Sequence, residues 1–156
     1  MKYSSVAALR QRPSSGVRAI ATAEVLVVDD EPAVRCVLEI GLSANGFRVT
    51  SCGDPIEALA ILEATPRRFV VVVTDLQMPS MSGLELAGRI RQLDPELAII
   101  LHSGALPDEL PAGLVDVALA KPCSMSDLGA QVRALAELRL ARSDGAAAPQ
   151  RARDTT

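Results

Sequence analysis

Four short apolar runs along the chain each end in side chains that carry a charge or a hydroxyl group. The groups at these positions are Asp29 and Asp30, Asp75, Ser103, and Lys121. Three carboxylates that lie together repel one another unless a cation lies between them. Mg²⁺ prefers such oxygen ligands, and an ammonium and a hydroxyl group bind phosphoryl oxygens. If the fold brings these residues together, they suit a divalent cation and a phosphoryl group carried on a carboxylate.

Lysine is rare in this sequence, which makes Lys121 informative. Of the 16 lysine and arginine residues, only Lys2 and Lys121 are lysines. Lysine presents a compact point charge on a flexible stem, a form that suits phosphate binding. A lysine directly after an apolar run therefore indicates a specific role.

Length and composition indicate one globular domain. The 156 residues are 49% hydrophobic and 22% charged, which excludes a wholly disordered chain. No apolar run approaches the roughly 18–20 residues of a membrane helix, and no 7–15-residue apolar stretch follows the first positive charges, so we expect no secretory signal. The three cysteines form no CxxC pair, so we interpret them as reduced thiols rather than as a disulfide frame or zinc site. We expect a cytoplasmic protein that makes no membrane contact.

Charge and aromatic content argue against nucleic-acid binding. The net charge is −3, and it includes +4 on residues 1–23, which contain no acid, and −8 on residues 24–141. Aromatic residues make up only 2% of the chain, too few for base-stacking surfaces. We predict a flexible basic tail over residues 1–23, a folded domain over 24–142 and a flexible tail over 143–156.

Between the tails, apolar runs alternate with amphipathic segments. The runs predict five strands, at residues 25–28, 47–52, 69–74, 97–101 and 115–120. Helical spacing and capping signals predict helices over 32–44, 55–64, 84–93 and from Ser124 or Ser126 to about Arg142. Strict alternation predicts a parallel sheet with helices on both faces. Ligands of such sheets bind at the carboxyl ends of the strands, where the polar groups lie.

Four separated motifs make the chain resemble the receiver domain of two-component response regulators, a bacterial signalling class. They are Val-Leu-Val-Val-Asp-Asp-Glu-Pro at 25–32, Val-Val-Thr-Asp-Leu-Gln-Met-Pro at 72–79 with Ser-Gly-Leu-Glu-Leu at 82–86, Ser-Gly at 103–104, and Lys-Pro at 121–122. The resemblance covers residues 24–141. It implies a flavodoxin-like doubly wound (βα)5 α/β fold with a five-stranded parallel sheet in the order 2-1-3-4-5.

The resemblance also implies a role for each site residue. Asp75 would be the phospho-acceptor, and Mg²⁺ (or Mn²⁺) would be held by Asp29, Asp30, Asp75 and the backbone carbonyl of Gln77. Lys121 and Ser103 would bind the phosphoryl group, and Ser103 would report its arrival by moving. The Lys121–Pro122 peptide is expected to be cis, as X-Pro bonds allow.

Three features depart from the family pattern. Ala118 occupies a position, three before Lys121, where many receivers carry an aromatic switch residue, so a coupled Ser103–aromatic switch is not expected. Pro107 and Pro111 leave little room for a fourth helix, so we predict a shortened or irregular one. Gln77 lies two residues after Asp75 and flanks the path of an attacking water.

We interpret the chain as a single-domain response regulator, since the residues after Arg142 are too few for a DNA-binding module. The implied partners are a histidine kinase or phosphotransfer protein and an unidentified downstream protein. The apolar stripe of the last helix suits a monomer or a weak homodimer equally. We expect phosphoryl acceptance and loss rather than a turnover enzyme.

Two alternatives stay open from sequence. One is a receiver-like interaction module that works without phosphate. The other is an aspartyl-phosphate phosphatase of the haloacid-dehalogenase kind, although those carry a DxD pair on the first strand. We interpret His102 as a structural histidine at a strand end, and we expect Cys36 and Cys123 to pack as small apolar residues.

Overall fold

The computed structural model describes residues 23–146. It contains five strands: β1 (Glu24–Val28), β2 (Arg48–Cys52), β3 (Phe69–Thr74), β4 (Ala98–Ser103) and β5 (Val117–Ala120). Its helices in this range are α1 (Pro32–Ala44), α2 (Pro55–Ala64), α3 (Gly83–Leu93) and α4 (Met125–Ala146). The predicted tails lie mostly outside the described residues, but α4 continues past the predicted domain end at residue 142.

The five strands form one parallel sheet in the order β2-β1-β3-β4-β5. This confirms the fold and strand order implied by the sequence. All residues of β1, β3 and β4 are buried, because helices cover both faces of the sheet. Val28 pairs with Thr74, so the next residues, Asp29 and Asp75, leave the sheet side by side.

Two apolar layers enclose the sheet. Alternate strand residues such as Val25 and Val71 face α1 and α4, while Leu26 and Val72 face α2 and α3. Leu128 and Val132 of α4 are buried and Leu140 packs against the same core, but Leu138, which the sequence places on the apolar stripe, is 56% exposed and lies outside it. No helix within residues 23–146 is long and apolar enough to span a bilayer.

The helix starts follow the capping signals. The Asp54 carboxylate accepts a hydrogen bond from the Ile56 N–H at 2.9 Å. At the start of α3, Ser82 and Glu85 form a reciprocal capping box. The Ser124 hydroxyl accepts from the Asp127 N–H at 3.0 Å, so of the two serines proposed to cap the last helix, Ser124 does so.

The connection from β4 to β5, residues 104–116, contains no helix. The predicted shortening of the fourth helix thus goes further than expected, because two prolines and Gly113, with φ of +73°, interrupt helical backbone. Leu114 and Val115 of this connection pack against the α2–α3 side of the core, where they cover the end of the sheet.

Arg91 of α3 holds the helix-free connection in place. Its guanidinium donates to the backbone carbonyls of Gly113 and Leu114 at 3.2 Å and to the Asp116 carboxylate at 2.7 Å. It also donates to the carbonyl of Leu97 at 2.5 Å. One side chain therefore ties the end of the connection to α3 and to the start of β4.

Candidate functional site

Three carboxylates meet at the carboxyl ends of β1 and β3. Oxygen atoms of Asp29, Asp30 and Asp75 lie within 4.8 Å of one another. Asp29 is 1% exposed and Asp75 is 8% exposed, and the Asp75 N–H extends the sheet by donating to the Val28 carbonyl at 2.9 Å. The structure thus brings together the three acids that the sequence singled out.

Lys121 faces two of these acids from the end of β5. Its Nζ donates to Asp29 Oδ2 at 2.9 Å and lies 3.5 Å from Asp75 Oδ1. Burial disfavours the charged ammonium, but the hydrogen bond to Asp29 and the charges of Asp29 and Asp75 outweigh it and raise the pKa of Lys121. The ammonium stays charged at neutral pH and partly balances the acids.

Ser103 ends β4 beside this group and is 2% exposed. The Lys121 N–H donates to the Ser103 carbonyl at 2.8 Å, which joins the ends of β4 and β5. The Ser103 hydroxyl accepts from the Ala105 N–H at 3.3 Å. Ser103, the residue predicted to report phosphorylation, therefore also binds the start of the helix-free connection.

The remaining predicted positions have smaller roles in this geometry. Gln77 is exposed in the loop that follows Asp75. Ala118 is partly buried and pairs with Leu101 across β4 and β5, where it presents only a methyl group. The Lys121–Pro122 peptide is cis, as expected.

Arg35 and Gly83 support the site and were not anticipated. The Arg35 guanidinium donates to the Asp29 carbonyl at 2.6 Å and therefore fixes the start of the acidic loop. A Cβ at Gly83 would lie 2.0 Å from the Asp75 carbonyl oxygen, so only glycine permits this approach. The Ser-x-x-Glu capping box at 82–85 marks the helix start, but no local pattern marks the close contact.

His102 and two of the cysteines can now be placed. His102 is buried at the end of β4. Cys36 is exposed on α1, so the prediction that it packs as an apolar residue is wrong, because the apolar stripe of α1 follows Leu38 and Leu42 instead. Cys123 is partly buried and lies against His102.

The donor set fits a hard divalent cation. Three carboxylates within reach of one another supply oxygen ligands of the kind Mg²⁺ and Mn²⁺ prefer, and a single ammonium leaves their combined charge negative. Asp29, Asp30 and Asp75 would hold such an ion. Added positive charge there would relieve their mutual repulsion.

Comparisons with known proteins agree with this geometry. Residues 25–133 match the family model of the response regulator receiver domain. The chain is 36% identical over 116 residues to the probable transcriptional regulatory protein TcrX of Mycobacterium tuberculosis, covering 71% of this chain and 48% of that protein. It is 32% identical over 136 residues to the sensor kinase CckA of Brucella abortus, covering 85% of this chain and 14% of the kinase.

Solved structures show the same fold. The response regulator TrrA of Thermotoga maritima, determined in complex with Mg²⁺ and BeF, has a TM-score of 0.68 and 30% identity. That match covers 73% of this chain and 99% of the other. The chain spans about half the length of TcrX and the other transcriptional regulators that it matches. The strand-end acids, the opposing lysine and these matches together show that the chain belongs to the receiver domain family of two-component response regulators.

Proposed function

We propose that Asp75 accepts a phosphoryl group from the phosphohistidine of a histidine kinase or phosphotransfer protein. The observation that carries this proposal is the convergence of Asp29, Asp30 and Asp75, with the Lys121 ammonium against Asp29 and Asp75. A structural role would not require three acids at one sheet edge. Acceptance of a phosphoryl group is typical of the receiver family.

The chemistry follows from where the side chains lie. An Asp75 carboxylate oxygen attacks phosphorus, the bond from phosphorus to the donor nitrogen breaks, and an acyl phosphate forms on Asp75. Lys121, 3.5 Å from Asp75, moves from the carboxylates toward the transferred oxygens. Asp29, Asp30 and Asp75, with the Gln77 carbonyl as a further ligand, would hold a divalent cation, whose charge would offset that of the phosphoryl oxygens.

Ser103 connects this event to a surface that a partner protein reads. Its hydroxyl lies at the end of β4 and also accepts from the Ala105 N–H. When the hydroxyl turns toward the phosphoryl group, that contact changes and the connection 104–116 shifts with it. Ala118 offers no ring to move, so this backbone segment, rather than a swinging side chain, conveys the phosphorylated state.

The test is phosphorylation by acetyl phosphate, a small-molecule donor, in the presence of Mg²⁺. We expect a labile phosphoryl adduct in the intact-protein mass spectrum, which is lost with EDTA and in the Asp75→Asn variant. The Asp54→Asn variant, which changes an exposed acid outside the cluster, is the matched control and keeps the adduct.

An adduct that persists in Asp75→Asn would refute the assignment of the acceptor. If neither acetyl phosphate nor a phosphorylated histidine kinase labels the protein, the proposal fails. The phosphate-independent interaction module would then be the better interpretation.

A further inference from the structure

An apolar cavity lies next to the site, between α1 and the segment that follows β5. Its volume is about 310 Å³, at the lower end of the range, about 300–1,000 Å³, typical of small-molecule sites. Val34, Val37 and Leu38 of α1 line one side, and Pro122 and Cys123 line the other. His102 and Lys121 also border it, so a few polar groups converge on an apolar space.

A thiol and an imidazole meet in this cavity. Cys123 Sγ lies 3.3 Å from His102 Nε2. His102 is 7% exposed, and within the described residues its Nδ1 has no hydrogen-bond partner. An unpaired buried polar atom on a residue that borders such a cavity calls for an explanation. A nucleophile with a base in contact is the arrangement that activates a thiol.

The electrostatic surroundings keep both groups neutral at rest and oppose a standing thiolate–imidazolium pair, so the proton must move as the sulfur reacts. Burial and the charge of Asp127 raise the pKa of the Cys123 thiol, so it is protonated at neutral pH and needs a base. Burial and the charge of Lys121 lower the pKa of His102, against the opposing charges of Asp29 and Asp75. The imidazole is therefore neutral and can accept the proton.

We propose that Cys123 is a covalent modification site for small apolar electrophiles of the α,β-unsaturated carbonyl class. His102 Nε2 takes the thiol proton as the sulfur adds to the β-carbon, which forms the C–S bond. The electron pair of the C=C bond moves to the carbonyl and gives an enolate. The proton then passes to the α-carbon, so the addition needs no oxidant or reductant.

The reactivity of Cys123 can be compared with that of the other two cysteines in the same protein. Cys36 is exposed on α1, where no imidazole or cavity assists it. Cys52 is buried, and burial with the charge of Glu57 raises its pKa to about 11, so it should be inert in the folded protein. Faster reaction at Cys123 than at Cys36 would thus show that contact with His102, rather than exposure to solvent, sets the rate. The inference does not depend on phosphorylation of Asp75.

The experiment treats the full chain with 2-cyclohexen-1-one and follows adduct formation at each cysteine by peptide mass spectrometry. We expect Cys123 to react at least about tenfold faster than Cys36, a modest share of what a positioned base contributes. With acrylamide, a polar acceptor of the same reaction class, the ratio of the two rates should fall. Cys52 should stay unmodified.

A variant of His102 tests the contribution of the base apart from that of the cavity. His102→Gln should lower the Cys123 rate by about tenfold or more and leave the Cys36 rate unchanged, while Cys123→Ser should abolish the selective adduct. The comparison of cyclohexenone with acrylamide uses the unaltered protein, so it remains valid even if His102→Gln folds poorly. The proposal is overturned if Cys36 reacts with cyclohexenone as fast as Cys123, or if the ratio is the same for both acceptors.

Discussion

Lys121 places its ammonium between two carboxylates, one of which, on Asp29, has a side chain only 2% exposed. Replacing Lys121 with Met leaves that carboxylate buried and unpaired, which is costly. We expect Lys121→Met to lose about 1–3 kcal/mol of unfolding free energy without divalent cations, less than for a fully enclosed pair because the Lys121 side chain is 21% exposed.

The same variant should gain more stability from Mg²⁺ than the unaltered protein, because the acids then lack their competing cation. Urea unfolding with and without Mg²⁺ measures both effects. Arg89→Met, which removes an exposed cation of α3, is the matched control and should change neither. An equal Mg²⁺ effect in Lys121→Met and the unaltered protein would contradict the assignment of the acids as cation ligands.

Most site residues could be predicted from sequence because each lies at the end of an apolar run. In a parallel sheet such positions share one edge, so Asp29, Asp75, Ser103 and Lys121 meet without further information. The contact of Arg35 with the Asp29 carbonyl could not be predicted, since it depends on how α1 turns back toward the sheet. The contact between His102 and Cys123 likewise requires the path of the chain after β5.

At the scale of elements, α3 begins so close to β3 that its first residue must be glycine. A Cβ at Gly83 would meet the Asp75 backbone oxygen at 2.0 Å, whereas one at Gly88 would meet only Leu114 Cδ1 at 3.9 Å. We expect Gly83→Ala to cost about 2 kcal/mol through overpacking and to reduce labelling of Asp75. Gly88→Ala should be neutral or stabilising by up to about 1 kcal/mol.

Urea denaturation of the two glycine variants tests this contrast directly, since both place the same methyl group in the same helix. Equal stabilities would show that the loop after Asp75 adjusts without cost. In that case the close approach would not constrain the site.

The connection 104–116 depends on Arg91 because it has no helix of its own. Arg91→Ala leaves the carbonyls of Leu97 and Leu114 without this donor in part-buried positions, where unpaired acceptors are costly, while the Gly113 carbonyl is exposed to water. We expect a loss of about 1–3 kcal/mol, with faster amide hydrogen exchange confined to the connection. Arg89→Ala is the control on the same helix, and similar exchange in both variants would argue against this role.

This connection also shows why the elements were predicted unevenly. Continuous apolar runs identify β1 and β3, and Pro32, Asp54 and Ser82 mark helix starts by local chemistry. Pro107 and Pro111 indicated only a short helix, because sequence spacing does not show that an arginine from another helix binds the end of this irregular segment. The strand β4 extends to Ser103, beyond the predicted end at residue 101, because the polar side chain of His102 is buried in the sheet.

At the scale of the whole molecule, an ion pair joins α3 and α4, which pack on opposite faces of the sheet. Arg139 Nη2 donates to Asp94 Oδ2 at 2.5 Å and Arg139 Nη1 donates to Asp94 Oδ1 at 3.3 Å. The Arg139 side chain is 9% exposed. The pair therefore links the two layers at the end of the sheet away from the site.

This pair makes stability depend on pH in a definite direction. Burial raises the pKa of Asp94, but the hydrogen bonds and charge of Arg139 outweigh it, and the pKa is lowered from its ordinary value of 3.8. A carboxyl whose pKa is lower in the folded state stabilises the fold fully above its unfolded pKa. That contribution is lost as the pH falls below 3.8 and through the lower folded pKa.

We expect Asp94→Asn to be less stable than the unaltered protein by about 1–2 kcal/mol at pH 7, since Arg139 loses its partner while solvent partly screens the pair. The difference should shrink as the pH falls below about 4, because protonation then removes the Asp94 charge from the unaltered protein as well. Urea unfolding from pH 7 to pH 2.5 measures it, with Asp108→Asn, an exposed acid of the β4–β5 connection, as control. A difference that stays constant with pH would mean that packing of the Asp94 side chain, rather than its charge, joins the two layers.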